Sequence, residues 1–321
     1  MARITWSVIG FFLLSFSCDK IDDNIDYKEE MRSFVIGISE YSKAASPGFI
    51  VIPQNGIELV TRTGEENGTP HTSYLSAIDG NGQEDLFYGY DKDDKPTPDR
   101  ESEYLSKFLT ISKNSGKIIL VTDYCSTLSK MDDSYSKNHL NSFVPFAADH
   151  RELDNIPLHP NPIYSQNDQQ ISILSQIQNF LYLINPENFN NKTDFINTIT
   201  STNYDLVIMD LFFRDGVEFT SAELDQLKQK QNGGTRLVVA YMSIGEAEDY
   251  RYYWQNDWAN HKPAWMDKEN PNWEGNFKVK YWNKDWQNII YSTEESYLDK
   301  VLKANFDGIY LDIIDAFQYY E

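Results

Sequence analysis

Eight short apolar runs, spread over residues 49–315, constrain this chain more than any other feature. They are FIVIPQN (49–55), YLSAIDG (74–80), KIILVTDYC (117–125), FVPFAAD (143–149), FLYLINP (180–186), DLVIMDLFF (205–213), RLVVAYMSIGE (236–246) and DGIYLDIID (307–315). Most are rich in Val, Ile, Leu, Phe and Tyr without strict alternation, the pattern of strands buried on both faces of a parallel sheet. Helical stretches fall between them. DRESEYLSKFLTISKNSG places Leu105, Phe108, Leu109 and Ser112 on one face, and QQISILSQIQNF repeats Ile171, Leu174 and Ile177. FTSAELDQLKQKQNGG opens on a capping box, Thr220 to Glu223, and STEESYLDKVLKANFDG carries the same signature at Ser292 and Glu295. No clear helix separates the third and fourth runs.

Eight strands with intervening helices predict an α/β chain folded as a (β/α)8 TIM barrel. Little sequence follows the eighth run, so the eighth helix has to come from elsewhere. KEEMRSFVIGISEYSKAASPG, with Phe34, Ile38 and Tyr41 at helical spacing, is expected to take its place from the N-terminal side. The rival is an open doubly wound sheet. That fold usually brings a Gly-rich first turn, and no GxGxxG follows the first run.

The N-terminus reads as processing signal rather than fold. In MARITWSVIGFFLLSFSC, Arg3 precedes an apolar run from Ile4 to Phe16, and Ser17 precedes Cys18. The run is too short to span a bilayer and fits a secretory leader over residues 1–17. Cys18 is then the expected lipidation site of a bacterial lipoprotein, exported and anchored to the cell envelope, with the outer membrane as its expected location. The alternative is a cleaved signal with Cys18 unmodified. Residues 18–30 read as an acidic tether, and residues 31–321 as the barrel domain. Cys125 is the one other cysteine, so no disulfide within that domain is possible, and its apolar surroundings predict a buried, inert thiol. A net charge of −21 argues against nucleic acid and suits a neutral or cationic partner.

In barrels of this kind the catalytic groups sit at the carboxyl ends of the strands. Gln54 and Asn55 follow the first run and Asn185 the fifth. Carboxylates end the other six: Asp79, Asp123, Asp149, Asp210, Glu246, and Asp312 with Asp315. An aspartate at a strand end can simply cap the next helix, which is the competing reading for Asp79, Asp123 and Asp149. Asp210 and Asp312 interrupt apolar runs, where a carboxylate needs a partner or a task. Glu246 follows Gly245, which allows a sharp turn. The five histidines form no HxH or HExxH pattern, so neither metal nor cofactor is expected, and no GxSxG elbow or P-loop occurs. Paired carboxylates without a metal are what glycoside hydrolysis needs, which nominates Asp210, Glu246 and Asp312 as the catalytic core. Six of the seven tryptophans, Trp254, Trp258, Trp265, Trp273, Trp282 and Trp286, lie between the last two runs. About half are expected to hold that long connection together as a small core, with Trp254 and Trp282 among those left to stack on sugar rings.

YMSIGEAEDYRYYW (241–254), GNFKVKYWNKDWQNII (275–290), FDGIYLDIIDAFQYY (306–320) and the upstream DLVIMDLFF together resemble the glycoside hydrolase family 114 superfamily. Its members are commonly labelled endo-α-1,4-polygalactosaminidases, and the likeness is to an exported bacterial TIM-barrel branch. The resemblance implies hydrolysis of an α-1,4-linked, galactosamine-containing polysaccharide, whose cationic form would match an acidic protein. It carries the aspartate of the family's DLF strand onto Asp210, the YxSxG strand onto Tyr241, Ser243 and Gly245, the ExxR onto Glu248 and Arg251, and the last strand onto Asp312 and Asp315. Tyr241, Glu248, Arg251 and Asp315 are thus expected to contact substrate, together with Asp79 and Asp123 from the strand ends and Trp254 and Trp282 from the aromatic connection. Better-characterised members carry a glutamate where this chain has Tyr310. If that glutamate is the acid, another carboxylate must serve here. A non-catalytic carbohydrate-binding surface lipoprotein on the same scaffold is the alternative, and a lyase or esterase a third reading. Some relatives have been labelled cysteinyl-tRNA synthetase-like, but the HxGH signature is absent.

Overall fold

The computed structural model describes residues 25–258 and 260–321. The leader expected over residues 1–17, the lipidation site Cys18 and the tether as far as residue 24 lie outside the described residues. Among the described residues eight parallel strands are present: β1 (Ile50–Pro53), β2 (Gly80–Glu84), β3 (Ile118–Tyr124), β4 (Val144–Ala148), β5 (Phe180–Tyr182), β6 (Leu206–Asp210), β7 (Leu237–Ser243) and β8 (Gly308–Asp312). They form two parallel sheets, in the orders 2-3-4 and 1-8-7-6-5. A parallel bridge between Gln54 and Gly82 joins the β1 and β2 edges, and the Asn55 N–H donates to the Gly82 carbonyl at 2.9 Å. At the other pair of edges, the Phe146 and Phe180 rings meet at 5.5 Å.

Eight helices accompany the strands: α1 (Tyr27–Ala45), α2 (Thr72–Ala77), α3 (Asp99–Asn114), α4 (Leu128–Leu140), α5 (Lys192–Thr200), α6 (Ser221–Leu227), α7 (Lys284–Ile290) and α8 (Tyr297–Lys303). Asp26 caps α1 by accepting the Glu29 N–H at 2.9 Å, so residues 27–30, expected in the tether, form its first turn. Met31, Phe34, Val35 and Ile38 form its buried stripe. Arg32, on the same face, donates to the carbonyls of Leu59 and Thr61. Tyr291 lies so close to Gly37 that any side chain there would collide with it. No described helix is long and apolar enough to cross a membrane.

Seven of the eight predicted strands form where expected. The second does not: residues 72–77 are helical, and β2 is GNGQE, one turn later. Its sequence hides it because two of its five residues are glycines under steric pressure. A Cβ on Gly82 would strike the Tyr310 hydroxyl, and one on Gly80 the Ile118 carbonyl. The helix expected over residues 169–180 is absent apart from a single turn at Leu174–Gln176. Ile171, Leu174 and Ile177 are buried, but the Ile171 N–H bonds to the Thr235 carbonyl rather than within a helix. The cap of α8 is Ser296, not Ser292, whose backbone is left-handed at φ 77°. A helix does lie between β3 and β4. α4 escaped the pattern because its buried face, Met131, Ser134, Tyr135 and Asn138, is half polar.

The connection from β7 to β8 carries a three-stranded antiparallel sheet. Glu246–Glu248 pairs with Asn276–Val279, which pairs in turn with Met266–Glu269. Trp258, Trp265 and Trp286 are buried beneath it. Trp254 packs on Trp258 and Phe277, and Trp282 on Tyr27 and Tyr320. Five of the six tryptophans are therefore taken up in packing, four within this excursion and Trp282 against Tyr27 and Tyr320, more than the expected half.

Candidate active site

Strand register decides which side chains meet. In parallel ladders paired residues face the same way. The pairs Gly82–Leu120, Glu84–Thr122, Tyr310–Tyr241, Tyr241–Asp210 and Ile52–Tyr310 put Gln54, Glu84, Tyr124, Asp210, Tyr241 and Asp312 on one common face at the carboxyl ends. They line a cavity of about 670 Å3, together with Tyr182, Arg151 and Asp315. The antiparallel excursion closes it from above with Glu246, Glu248, Asn270, Trp273 and Asn276.

Asp210, Glu246 and Asp312 therefore share one cavity, although they come from β6, β8 and the excursion. Tyr241, Glu248, Arg251 and Asp315 line the same cavity. Asp312 is held by two neutral donors, the Gln54 amide at 2.9 Å and the Tyr241 hydroxyl at 2.7 Å. Desolvation, reinforced by the nearby Glu84 charge, pushes its carboxyl up to about 7. Burial likewise pushes Asp315 up to about 6. Glu246 accepts from Asn270 at 2.9 Å and from Tyr319 at 3.1 Å, while its second oxygen is buried without a partner. Burial raises this carboxyl too. Gly245, just before it, passes so close to the Ile313 carbonyl that no side chain fits. Close approach rather than a sharp turn explains that glycine.

Asp210 stands apart. Arg251 contacts its two oxygens at 2.9 and 2.7 Å and also reaches Glu248 at 2.5 Å. Burial raises the Asp210 carboxyl, and the Arg251 charge opposes that rise. A guanidinium shared between two carboxylates fixes the wall of the cavity more than it frees a reacting group.

Four of the expected substrate contacts are not in the cavity. Asp79 precedes β2 and sits at the amino ends of the strands, accepting the Val51 N–H at 2.9 Å beside Lys43. Asp123 pairs in register with Ala147 and so faces outward, opposite in parity to Tyr124. It is fully buried under α4, accepting from the backbone of Phe87 and Tyr88 and from Ser134 and Asn138. Trp254 belongs to the excursion's own core, and Trp282 packs between Tyr27 of α1 and Tyr320. Trp273, 58% exposed, is the indole that lines the cavity. Glu84, Gln54, Asn270 and Tyr319 were not singled out as site residues. Glu84 lies in a strand without an apolar signature, Asn270 falls outside every quoted motif, and Tyr319 sits within FDGIYLDIIDAFQYY without an assigned role. Among the described residues no cluster of three or more His, Cys, Asp or Glu side chains is placed to hold a metal ion. Cys125 is free and buried, and desolvation raises its thiol.

A parallel α/β protein whose strand ends converge on a carboxylate-lined, aromatic-flanked cleft has the layout of a carbohydrate-active hydrolase. Residues 181–320 match the model of glycoside-hydrolase family GH114, and over that part the chain is similar to that family. It is similar to an uncharacterized protein of Methanocaldococcus jannaschii, 42% identical over 128 residues, which are 39% of this chain and 34% of that relative. Uncharacterized proteins of Thermotoga maritima (40% over 122 residues, 38% and 36% of the two chains) and Deinococcus radiodurans (41% over 123 residues, 38% and 37%) are comparably close. The chain thus spans about a third of the length of the curated relatives it matches.

Proposed function

We propose that this protein is a glycoside hydrolase that cleaves an α-1,4-linked, galactosamine-containing polysaccharide by carboxylate acid/base chemistry. The two sheets are read as arcs of one (β/α)8 barrel, with α1 in the place of the eighth helix. The observation that carries the reading is the convergence of Asp210, Glu246 and Asp312 on one cavity at the carboxyl ends of the strands. Asp312 is the group to donate a proton to the glycosidic oxygen, because an acid must still hold its proton near neutral pH. Asp210 and Glu248, fixed by Arg251, position the sugar, and Glu246 and Asn270 face it from the excursion. The family resemblance supplies the linkage and the sugar, and the charge of −21 favours a partly deacetylated, cationic polymer.

The leader and Cys18 complete the reading as an exported lipoprotein. Fatty-acid labelling of the expressed full chain, lost in Cys18→Ser, tests that part separately. The central test incubates the protein with acetylated and with partly deacetylated α-1,4-galactosamine polymer and follows fragments by mass spectrometry. Even-spaced oligosaccharides from the deacetylated polymer are expected. Intact chains in both reactions, with polymer still bound, would leave a carbohydrate-binding protein instead. Unsaturated ends would point to a lyase, and released acetate alone to an esterase.

A further inference from the structure

Glu84 ends β2, and its carboxylate is ringed by neutral donors. Gln54 Nε2 and Asn55 Nδ2 each donate to Oε2 at 2.8 Å, and the Tyr124 hydroxyl donates to Oε1. Gln54 Nε2 also donates to Asp312 at 2.9 Å, so one amide spans the two carboxylates. Their facing oxygens can be no further apart than those two bonds laid end to end. That upper limit admits the about 5–5.5 Å between the carboxyl groups of retaining glycosidases. Among the described residues no ion pair reaches Glu84, whereas Asp210 and Glu248 are both tied to Arg251. A carboxylate oriented by neutral donors keeps its charge available to a reacting centre, while a guanidinium already claims it.

Backbone conformation marks the same three positions. The residue after Gln54 is Asn55 at φ 58°, the residue after Glu84 is Asp85 at φ 58°, and the residue after Asp312 is Ile313 at φ 58°. Asn and Asp tolerate the left-handed region, but a β-branched isoleucine there is strained. Such strain gathers where a site dictates the backbone. Below this layer the Tyr310 hydroxyl closes over Gly82, so the next inward residue of β2, Glu84, stands level with the next inward residue of β8, Asp312.

From this geometry we infer that Glu84 is the catalytic nucleophile and Asp312 its paired acid/base, making the enzyme a retaining glycosidase. The inference rests on the hydrolase reading above. In the first step a Glu84 oxygen bonds to the anomeric carbon. The glycosidic C–O bond breaks, its electron pair stays on the departing oxygen, and that oxygen takes the Asp312 proton. In the second step water gives a proton back to Asp312, and its oxygen bonds to the anomeric carbon. The ester bond to Glu84 breaks, and the carboxylate is restored.

The experiment uses the full chain on partly deacetylated α-1,4-galactosamine polymer, with and without added azide. Glu84→Ala is expected to lose at least about 10²-fold in rate and to regain turnover with azide. The product would be a glycosyl azide of anomeric configuration opposite to the substrate. Asp312→Ala with azide should give the azide of retained configuration, by attack on the Glu84 ester. Glu84→Gln, nearly isosteric, should be equally inactive with an unchanged thermal transition, which separates chemistry from folding. Turnover of Glu84→Ala within about tenfold of wild type, or a loss with no glycosyl azide at any concentration, overturns the assignment. So does an inverted azide product from Asp210→Ala or Glu246→Ala. A wild-type protein that leaves the polymer intact removes the hydrolase reading itself, a result distinct from all of these.

Discussion

At the amino ends of the strands, Asp79, Asp205 and Asp307 each immediately precede a strand and do the same two things. Each accepts a backbone N–H from the neighbouring strand or the residue leading into it: Val51 at 2.9 Å, Gln178 at 2.8 Å and Val238 at 2.8 Å. Each also pairs with a lysine: Lys43 at 3.0 Å, Lys230 at 2.5 Å and Lys228 at 2.8 Å. At the carboxyl ends, Glu84, Glu246, Asp312 and Asp315 have no ion-pair partner among the described residues, and the side-chain donors to the first three are amides and hydroxyls. Carboxylates therefore clamp strands at one end, whereas these four stand without a cation at the other, unlike Asp210 and Glu248 on Arg251. Charges gathered without cations cost stability, so a fold keeps them only where something else needs them.

The sharpest way to break this contrast is to neutralise one carboxylate at each end. Asp312→Asn should lower the rate on the polymer by about 10²–10⁴-fold, the usual worth of a positioned acid/base, and leave the thermal transition near that of wild type at pH 5. Near-normal rates of fragment release would end the view of the mouth as chemistry. Asp205→Ala should do the reverse. It strands Lys230, fully buried with its partner, and should destabilise by about 3–5 kcal/mol in denaturant titration, with the rate per folded molecule preserved. A variant at the base that keeps its stability but loses turnover would erase the distinction between the two ends.

Much of this layout is legible in the sequence alone. Seven strands, the α1 stripe and the α6 capping box follow from apolar content and local caps, which tertiary contacts did not override. β2 was not legible, since its glycines answer to Tyr310 and Ile118, residues far away in sequence. The site was half legible for a related reason. Asp210 and Asp312 stand out because they break apolar runs. Asp123 breaks one equally well, yet parity turns it outward against Ser134 and Asn138. Counting residues from Leu120, Thr122 and Tyr124, the buried inward set of β3, would have excluded Asp123, but only once the partner register was known. Glu84 had no run to break. The tryptophans misled because the exposure of an aromatic in a long connection depends on how that connection packs on itself.

Titration separates the two ends more finely. Asp312 rises from 3.8 to about 7 on folding, so the native protein binds that proton more tightly than the unfolded chain. Its stabilising contribution is complete below about pH 4 and disappears as pH rises through about 7. Asp312→Asn mimics the protonated form throughout. The thermal midpoint of the variant should gain on that of wild type between about pH 4 and pH 7 and level off above, and a constant difference across that range would contradict the raised carboxyl. Activity should show an alkaline limb near pH 7 for the same reason. The Asp315 charge helps hold Asp312 up, so Asp315→Asn should move that limb to lower pH.

The smallest effect is expected at the indoles, where the contrast between lining and scaffold repeats within one excursion. Trp273 is exposed at the cavity rim, and Trp254 is packed on Trp258 and Phe277 at 5.3 and 5.0 Å. If Trp273 stacks on a sugar ring, Trp273→Ala removes an aromatic contact worth about 0.5–1.5 kcal/mol. That should raise KM for the polymer a few-fold to about tenfold, with kcat and the thermal midpoint nearly unchanged. Trp254→Ala opens the small core instead. It should lower the midpoint and, because Glu246 and Glu248 hang from that sheet, reduce kcat with it. Equal KM changes in the two variants would mean that the rim indole does no recognition. A fall in kcat confined to Trp273→Ala would place the sugar deeper than the rim, against the face shared by Glu84 and Asp312.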